Sequence, residues 1–320
     1  MKVYRGLDEI KASFKQAALT IGNFDGVHLG HQALFRKVVA ISQKTGGDTV
    51  AITFDPHPLK VLRPDNPPKL ICTLEHKIEL IAEAGIDHLG ILAFTKELAA
   101  TSAREFVHEI LYRRIGMKDL VVGYDYACGK GREGNIPFLK KMGKELGFNV
   151  HVVPPITIDG IVVSSTKVRE LVTQGQMRKV RLLLGRYYQI RGIVQVGRKR
   201  GGKVVGFPTA NLNIDEDDLC PKPGVYVVQV LHDSQCYGGV LNIGYNPTFG
   251  DDKLTAETHI FDFDKDIYGQ PIKVNLIQRI RDEKKFSGPE ELARQISKDV
   301  ETARLILANE EGLRDACKHG

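Results

Sequence analysis

The hydrophobic pattern of this chain changes period once, near Leu184-Gly185-Arg186, and that change limits the folds open to it. Before it, short apolar runs rich in β-branched residues alternate with helical patterns. Ala18–Phe24, Thr49–Phe54, Leu89–Phe94, Leu120–Tyr124 and Val150–Val153 read as strands, and Leu74–Ala84 and Ala103–Ile115 read as helices between them. Ser102, with Glu105 three residues on, is a capping box for the second helix. Such alternation predicts an α/β unit whose mostly parallel sheet is covered on both faces, with ligands beyond the carboxyl ends of the strands. After the change, Tyr187–Val196, Val225–Leu231, Tyr237–Ile243, Glu257–Phe263 and Ile272–Ile280 follow with turn residues between them, which predicts an antiparallel barrel or sandwich. A last helix is capped by Ser287 and Glu290 and carries an apolar face of Leu292, Ile296, Val300, Ala303 and Leu307. Two domains are expected, 1–184 and 185–320, and 42% apolar residues suffice for two cores.

The first predicted strand runs into Thr20-Ile21-Gly22-Asn23-Phe24-Asp25-Gly26-Val27-His28-Leu29-Gly30-His31, and a helical pattern follows (Ala33, Leu34, Lys37, Val38, Ile41). Glycines in a strand-to-helix loop let backbone approach a ligand, and the helix amino terminus offers free amides and a positive dipole end, which suits a phosphate chain. His28 and His31 are three apart, so both can converge on one anion if the helix starts between them, and two imidazoles can disperse charge that builds on phosphate oxygens. A metal-ligand or surface-turn role for either histidine is the alternative. With its HxGH signature the stretch resembles the nucleotidyltransferase superfamily, which attaches AMP or CMP to phosphates. Ser164-Ser165-Thr166-Lys167-Val168-Arg169 is similar to that superfamily's SSTxxR motif. Its hydroxyls at a helix start suit phosphate oxygens, and Arg169 one turn in suits a pyrophosphate leaving group. Taken alone, Ser-Ser-Thr is simply a good cap.

Two further stretches narrow the resemblance. Thr53-Phe54-Asp55-Pro56-His57-Pro58, and Val122-Gly123-Tyr124-Asp125-Tyr126 running on to Gly129-Lys130-Gly131-Arg132-Glu133-Gly134, resemble the adenylyltransferase module of prokaryotic bifunctional riboflavin kinase/FAD synthetases. The resemblance implies a Rossmann-like nucleotidyltransferase domain in which Gly22, Asn23, Phe24, Asp25, Gly30, Asp125, Ser164, Ser165 and Thr166 bind nucleotide or flavin, and His28, His31 and Arg169 serve the chemistry. Asn often stands in the family where Asp125 stands here, and a carboxylate repels phosphate unless a cation or hydrogen bonds compensate.

Gly197-Arg198-Lys199-Arg200-Gly201-Gly202-Lys203-Val204 has the spacing of a phosphate-binding GxxxxGK loop, but Val204 replaces the magnesium-binding hydroxyl residue and strands follow instead of a helix. It reads as a basic, Gly-rich hairpin. Gly206-Phe207-Pro208-Thr209-Ala210-Asn211 after it resembles the GFPTAN signature of riboflavin kinases, which implies phosphate and nucleotide contacts at Gly206 and Pro208. Thr209 and Asn211 are two apart, so on an extended backbone both point one way, and their neutral oxygens suit a Mg2+ ion that also carries nucleotide phosphates. Asn242-Ile243-Gly244-Tyr245-Asn246-Pro247-Thr248-Phe249, Ala256-Glu257-Thr258-His259-Ile260, Tyr268-Gly269 and Arg281-Asp282-Glu283-Lys284-Lys285-Phe286 match the kinase family in order. The resemblance assigns Glu257 the catalytic carboxylate and implies an antiparallel β-barrel kinase domain with a C-terminal helix. Gly201-Gly202-Lys203 stands where the family often has RGR.

The resemblance spans nearly the whole chain. It implies phosphorylation of riboflavin to FMN by ATP, then adenylylation of FMN to FAD with release of pyrophosphate. One rival is an adenylyltransferase for another phosphorylated vitamin with an accessory barrel, which leaves the PTAN motif and Glu257 unexplained. A nucleic-acid-binding barrel is the other. The net charge of +6 sits in residues 1–184, with 26 Lys+Arg against 19 Asp+Glu, while 185–320 has 19 against 20 and no tryptophan, so no nucleic-acid partner is expected. The amino-terminal stretch is broken by charges, and no apolar run reaches the ~20 residues of a membrane helix, so no membrane association is expected. Cys72, Cys128, Cys220, Cys236 and Cys317 form no CxxC pair, which fits a reducing cytoplasm. Composition and spacing leave the oligomeric state open.

Overall fold

The computed structural model describes residues 1–11, 14–195, 206–245 and 254–310. The Gly197–Val204 stretch, read above as a hairpin, Asn246–Phe249 and Cys317 lie outside the described residues. The chain forms two compact units, Met1–Ser165 and Thr166–Gly320.

In the first unit, six strands form one wholly parallel sheet: β1 (Lys2–Arg5), β2 (Ala17–Ile21), β3 (Thr49–Asp55), β4 (His88–Ala93), β5 (Met117–Gly123) and β6 (Asn149–Val153). Their spatial order is β1-β4-β3-β2-β5-β6. Five of them match the runs expected from the β-branched pattern; β1, short and flanked by charges, carries no such pattern. The β2 strand ends at Ile21, so Gly22–Phe24 belongs to the loop, where a ligand-binding turn needs it. Alternate β2 residues enter different cores, Ala17, Leu19 and Ile21 on one face and Ala18 on the other, as a sheet buried on both sides requires. The strand order reverses at β2, with β3 on one side and β5 on the other, and in sheets of this kind ligands bind beyond the carboxyl ends at such a reversal. Ser102 caps the helix beginning at Ala103 by accepting from the Glu105 amide at 3.2 Å, and the helix then widens into π-type turns over Phe106–Arg114. A small hairpin, β7 (Thr157–Ile158) and β8 (Ile161–Val162), leads to the helix Ser165–Thr173.

The second unit is an antiparallel sheet of β9 (Tyr188–Ile193), β10 (Ala210–Asn213), β11 (Gly224–His232), β12 (Gln235–Tyr245), β13 (Leu254–Ile260) and β14 (Pro271–Arg281) in the order β10-β13-β12-β11-β14-β9. Its two ends approach each other, the Gln195 amide donating to the Asn211 carbonyl at 2.9 Å, so the sheet is a nearly closed barrel. The terminal helix, Pro289–Asn309, lies on the outer face, where Ala303 and Leu307 pack with Val225, Val227, Val240 and Phe261. Its cap differs from the expected Ser287–Glu290 box. Pro289 occupies the first helical position, and the Ser287 amide and hydroxyl donate instead to the Glu291 carboxylate at 2.8 and 2.7 Å.

Candidate active sites

The first site is the loop after β2. His28 is the N-cap of the helix Leu29–Thr45, and its Nδ1 accepts from the His31 amide at 3.3 Å. An accepting Nδ1 puts the hydrogen of the neutral ring on Nε2, which is then a donor. The rings of His28 and His31 stack with centroids 3.6 Å apart and planes within 18°. Gly30 leaves room for this, since a Cβ there would stand 3.1 Å from the His28 ring. Phe24 is buried, with its ring edge-on to His31 at 5.3 Å and to Phe35 at 4.8 Å, so it supports His31 from beneath.

The loop is held in a tight form. Phe24 (φ 48°), Gly26 (φ 78°) and Val27 (φ 40°) are all left-handed, a conformation unusual for a β-branched residue. Asp25 is 1% exposed and its carboxylate accepts from the Ile71 amide, at 3.0 Å through Oδ1 and 3.2 Å through Oδ2. Its carbonyl accepts from the Ser165 hydroxyl at 3.1 Å. The Asn23 carbonyl accepts from Thr53 Oγ1 at 3.1 Å, and the Val27 carbonyl from Gln32 Nε2 at 3.0 Å. Nothing in the residue pattern singles out Thr53 or the Ile71 segment for this role; only their long-range contacts reveal them.

Ser165 opens the helix Ser165–Thr173, Thr166 follows within its first turn, Ser164 immediately precedes it, and Arg169 lies one turn along it. Asp125 is exposed just beyond β5, where its carbonyl accepts from Arg132 Nη2 at 3.0 Å. The Gly129–Gly134 stretch curls back on itself and Glu133 accepts from the Ala103 amide at 2.8 Å, a second cap for that helix.

The second site is a cavity of about 340 Å³ on the outer face of the barrel. Asn211 on β10 and Asn242 on β12 both pair with Glu257 on β13, placing three polar side chains in a row across neighbouring strands. Glu257 and Asn242 line the cavity with Thr209, Phe207 and His259, while Val225, Val240, Phe286, Leu292 and Ile296 make its apolar wall. Burial in these surroundings pushes the Glu257 carboxyl above its ordinary pKa. The expected apolar face of the terminal helix thus divides its work: Ala303 and Leu307 enter the core, and Leu292 and Ile296 face the cavity.

Arg281 fixes that wall. Its Nε donates to both Asp299 oxygens at 3.0 Å and its Nη2 to Oδ2 at 2.6 Å, tying β14 to the terminal helix, with Gln295 also donating to Asp299. Asn211 Nδ2 donates to the Thr209 carbonyl at 3.4 Å, which leaves Asn211 Oδ1 as the acceptor of that amide. That donor set of neutral oxygens next to a carboxylate fits Mg2+. Gly206 and Pro208 are exposed ahead of Thr209. Asn242 and His259 belong to matched segments of the sequence, but only strand register puts them at the site.

The FAD synthetase family model matches residues 10–167, and the riboflavin kinase model matches residues 184–307. A bifunctional riboflavin kinase/FMN adenylyltransferase of Buchnera aphidicola is 37% identical over 303 residues, covering 94% of this chain and 96% of that protein. The Escherichia coli K12 protein of the same description is 36% identical over 306 residues, 95% of this chain and 97% of its own length. A solved structure from Streptococcus pneumoniae, described as a macrolide-efflux protein, superposes with a TM-score of 0.87 at 30% identity over 95% of this chain and 99% of that one. Among the described residues here, no helix is long and apolar enough to cross a membrane. With both modules matched in order and relatives aligned along almost their whole length, this chain belongs to the bifunctional riboflavin kinase/FMN adenylyltransferase family.

Proposed function

We propose that the barrel phosphorylates riboflavin and that the α/β unit adenylylates the FMN produced. The observation that carries the first step is the half-buried Glu257 at the polar end of an apolar-walled cavity. There the flavin ring lies against Leu292 and Ile296, and Glu257 accepts the proton of the ribityl hydroxyl as that oxygen takes the γ-phosphoryl group of ATP. Thr209 and Asn211 would hold Mg2+. Bound there, the ion supplies charge neutralisation for the nucleotide phosphates.

In the second step a phosphate oxygen of FMN attacks the α-phosphorus of ATP and pyrophosphate leaves. That oxygen is already ionised, so the unit needs no protein nucleophile. Positioning and charge dispersal by the Nε2–H of His28, by His31 and by Arg169 carry the reaction. Gly22, Asn23, Gly30, Ser164, Ser165 and Thr166 shape the phosphate cradle. Phe24 and Asp25 act from behind it, which their burial favours over contact with nucleotide.

The boundary at 184/185, a cytoplasmic location and the absence of a nucleic-acid partner belong to the same reading. They are supported by the change of period, by the absence of any CxxC pair in the sequence and by the near-neutral charge of 185–320. Incubating the protein with riboflavin, ATP and Mg2+ and resolving the products by chromatography tests the reading. FMN should appear first and FAD after it. An adenylyltransferase for another vitamin would yield neither.

A further inference from the structure

His259 follows Glu257 by two residues on β13, so both side chains stand on one face and line the same cavity. Unlike Glu257, it is tied to a neighbouring segment. Its Nδ1 lies 2.9 Å from the Pro208 carbonyl oxygen, and since a carbonyl only accepts, Nδ1 carries the hydrogen. Its ring meets Phe207 edge-on at 5.2 Å and Phe261 at 5.9 Å. The strand pairing of β10 with β13 begins only at Ala210, opposite Thr258. Gly206–Thr209 therefore approaches the site outside the ladder, and Pro208 has no N–H with which to join it. Thr209, the next residue, lines the cavity.

We infer that His259 is a positioning residue for the nucleotide end of the kinase site: by holding the Pro208 carbonyl and the Phe207 ring, it sets the aim of the Thr209 hydroxyl. The peptide that joins Pro208 to Thr209 is planar, so fixing the carbonyl oxygen fixes the orientation of the Thr209 amide and limits where its side chain points. The inference rests on the reading of Thr209 as a ligand to the ion or the nucleotide phosphates. It assigns His259 no contact with the flavin and no part in proton transfer.

Three substitutions in the full chain separate this role from others. In H259N the side-chain amide nitrogen stands near the place of the ring Nδ1 and can still donate to Pro208; H259Q carries its donor farther out, and H259A carries none. ADP binding is measured calorimetrically with and without Mg2+, and the component that T209A removes identifies the kinase site. In H259A and H259Q this component should weaken about three- to tenfold, the factor that one ordinary hydrogen bond is worth, and H259N should restore it. The KM for ATP in riboflavin phosphorylation should rise in parallel while the KM for riboflavin stays at the parental value. The parental KM for riboflavin, together with an unchanged melting transition of the full chain by calorimetry, reports that the barrel of each variant is folded. If T209A removes no binding component, the reading of Thr209 fails and the inference falls with it. A component lost in T209A but intact in H259A and H259Q overturns the inference alone. So does failure of H259N to restore binding, or a rise confined to the KM for riboflavin, which would mark His259 as a flavin contact.

Discussion

Asn211 stands directly across from Glu257 in the antiparallel pairing of β10 and β13. Residues so paired have Cβ atoms about 4.5–5.5 Å apart, which places the candidate ligand oxygen of Asn211 and the candidate base within one substrate's reach. Ion, phosphate and hydroxyl can therefore be handled on a single face of the barrel.

Glu257→Gln keeps this geometry and removes the basicity. Riboflavin phosphorylation is expected to fall by roughly 10²–10⁴-fold, the usual contribution of a general base, with riboflavin affinity little changed. Supplied FMN should still become FAD at the parental rate. Separate assays of the two reactions check this; near-normal FMN production by the variant would exclude Glu257 as the base.

The raised pKa of Glu257 also has consequences for pH. A base works when ionised, so the acid limb of the kinase profile should have its midpoint above the usual carboxylate range. In stability, the folded chain binds this proton more tightly than the unfolded chain does. The favourable contribution is present below the ordinary carboxylate pKa and is lost as pH rises through the raised value. Glu257→Gln, neutral throughout, should therefore melt at a higher temperature than the parent near neutral pH, and the difference should shrink in acid. Calorimetric melting at both pH values measures it.

His31→Ala removes one of two stacked imidazoles. Loss of one such electrostatic contact costs about 10²–10³ in rate, so FAD formation should nearly stop while FMN accumulates from riboflavin. Chromatography of one reaction mixture reports both products. Equal loss of the two activities would indicate damage to the fold instead.

Asp299→Ala leaves the Arg281 guanidinium in a half-buried position without its bidentate partner. Breaking a buried pair in this way costs roughly 3–5 kcal/mol. The expected result is a lower unfolding midpoint in denaturant, and a raised KM for riboflavin in what remains folded, because Leu292 and Ile296 lose their anchor.

The two ways of dividing the chain can be compared directly. The helix Met177–Leu184 buries Met177, Val180, Leu183 and Leu184 and packs on β14 and β9. A kinase fragment that starts at residue 166 should therefore be more stable than one that starts at residue 185, since each fully buried side chain of this kind contributes about 1.5–3 kcal/mol. Denaturant midpoints of both fragments decide it. Equal midpoints would mean that the helix adds nothing to the barrel.

Much of this is legible in the residues themselves. Alternation with a period of two, broken by helical stretches, marks strands and their buried faces, so five parallel strands and most of the barrel strands can be placed before any contact is known. The histidines, hydroxyls and carboxylate stand out because their chemistry is scarce at such spacings. Both observations are local. What local pattern cannot carry is which strand pairs with which, and at what register, since every apolar strand face can satisfy many neighbours.

The tertiary structure decided those matters. Register alone brings Asn242 beside Glu257. Asp25, expected to contact nucleotide, has a buried carboxylate that accepts from the Ile71 amide 46 residues away, and Phe24 packs edge-on against His31. The terminal helix, one apolar stripe in the sequence, is core at Ala303 and ligand wall at Leu292 because its amino-terminal half stands over a cavity and its carboxy-terminal half lies on packed strands. A side chain's type is written in the chain, but whether it faces a ligand or a neighbour depends on which surfaces are left unfilled when distant segments close over one another. Close packing settles that globally, residue by residue, and no window of sequence contains it.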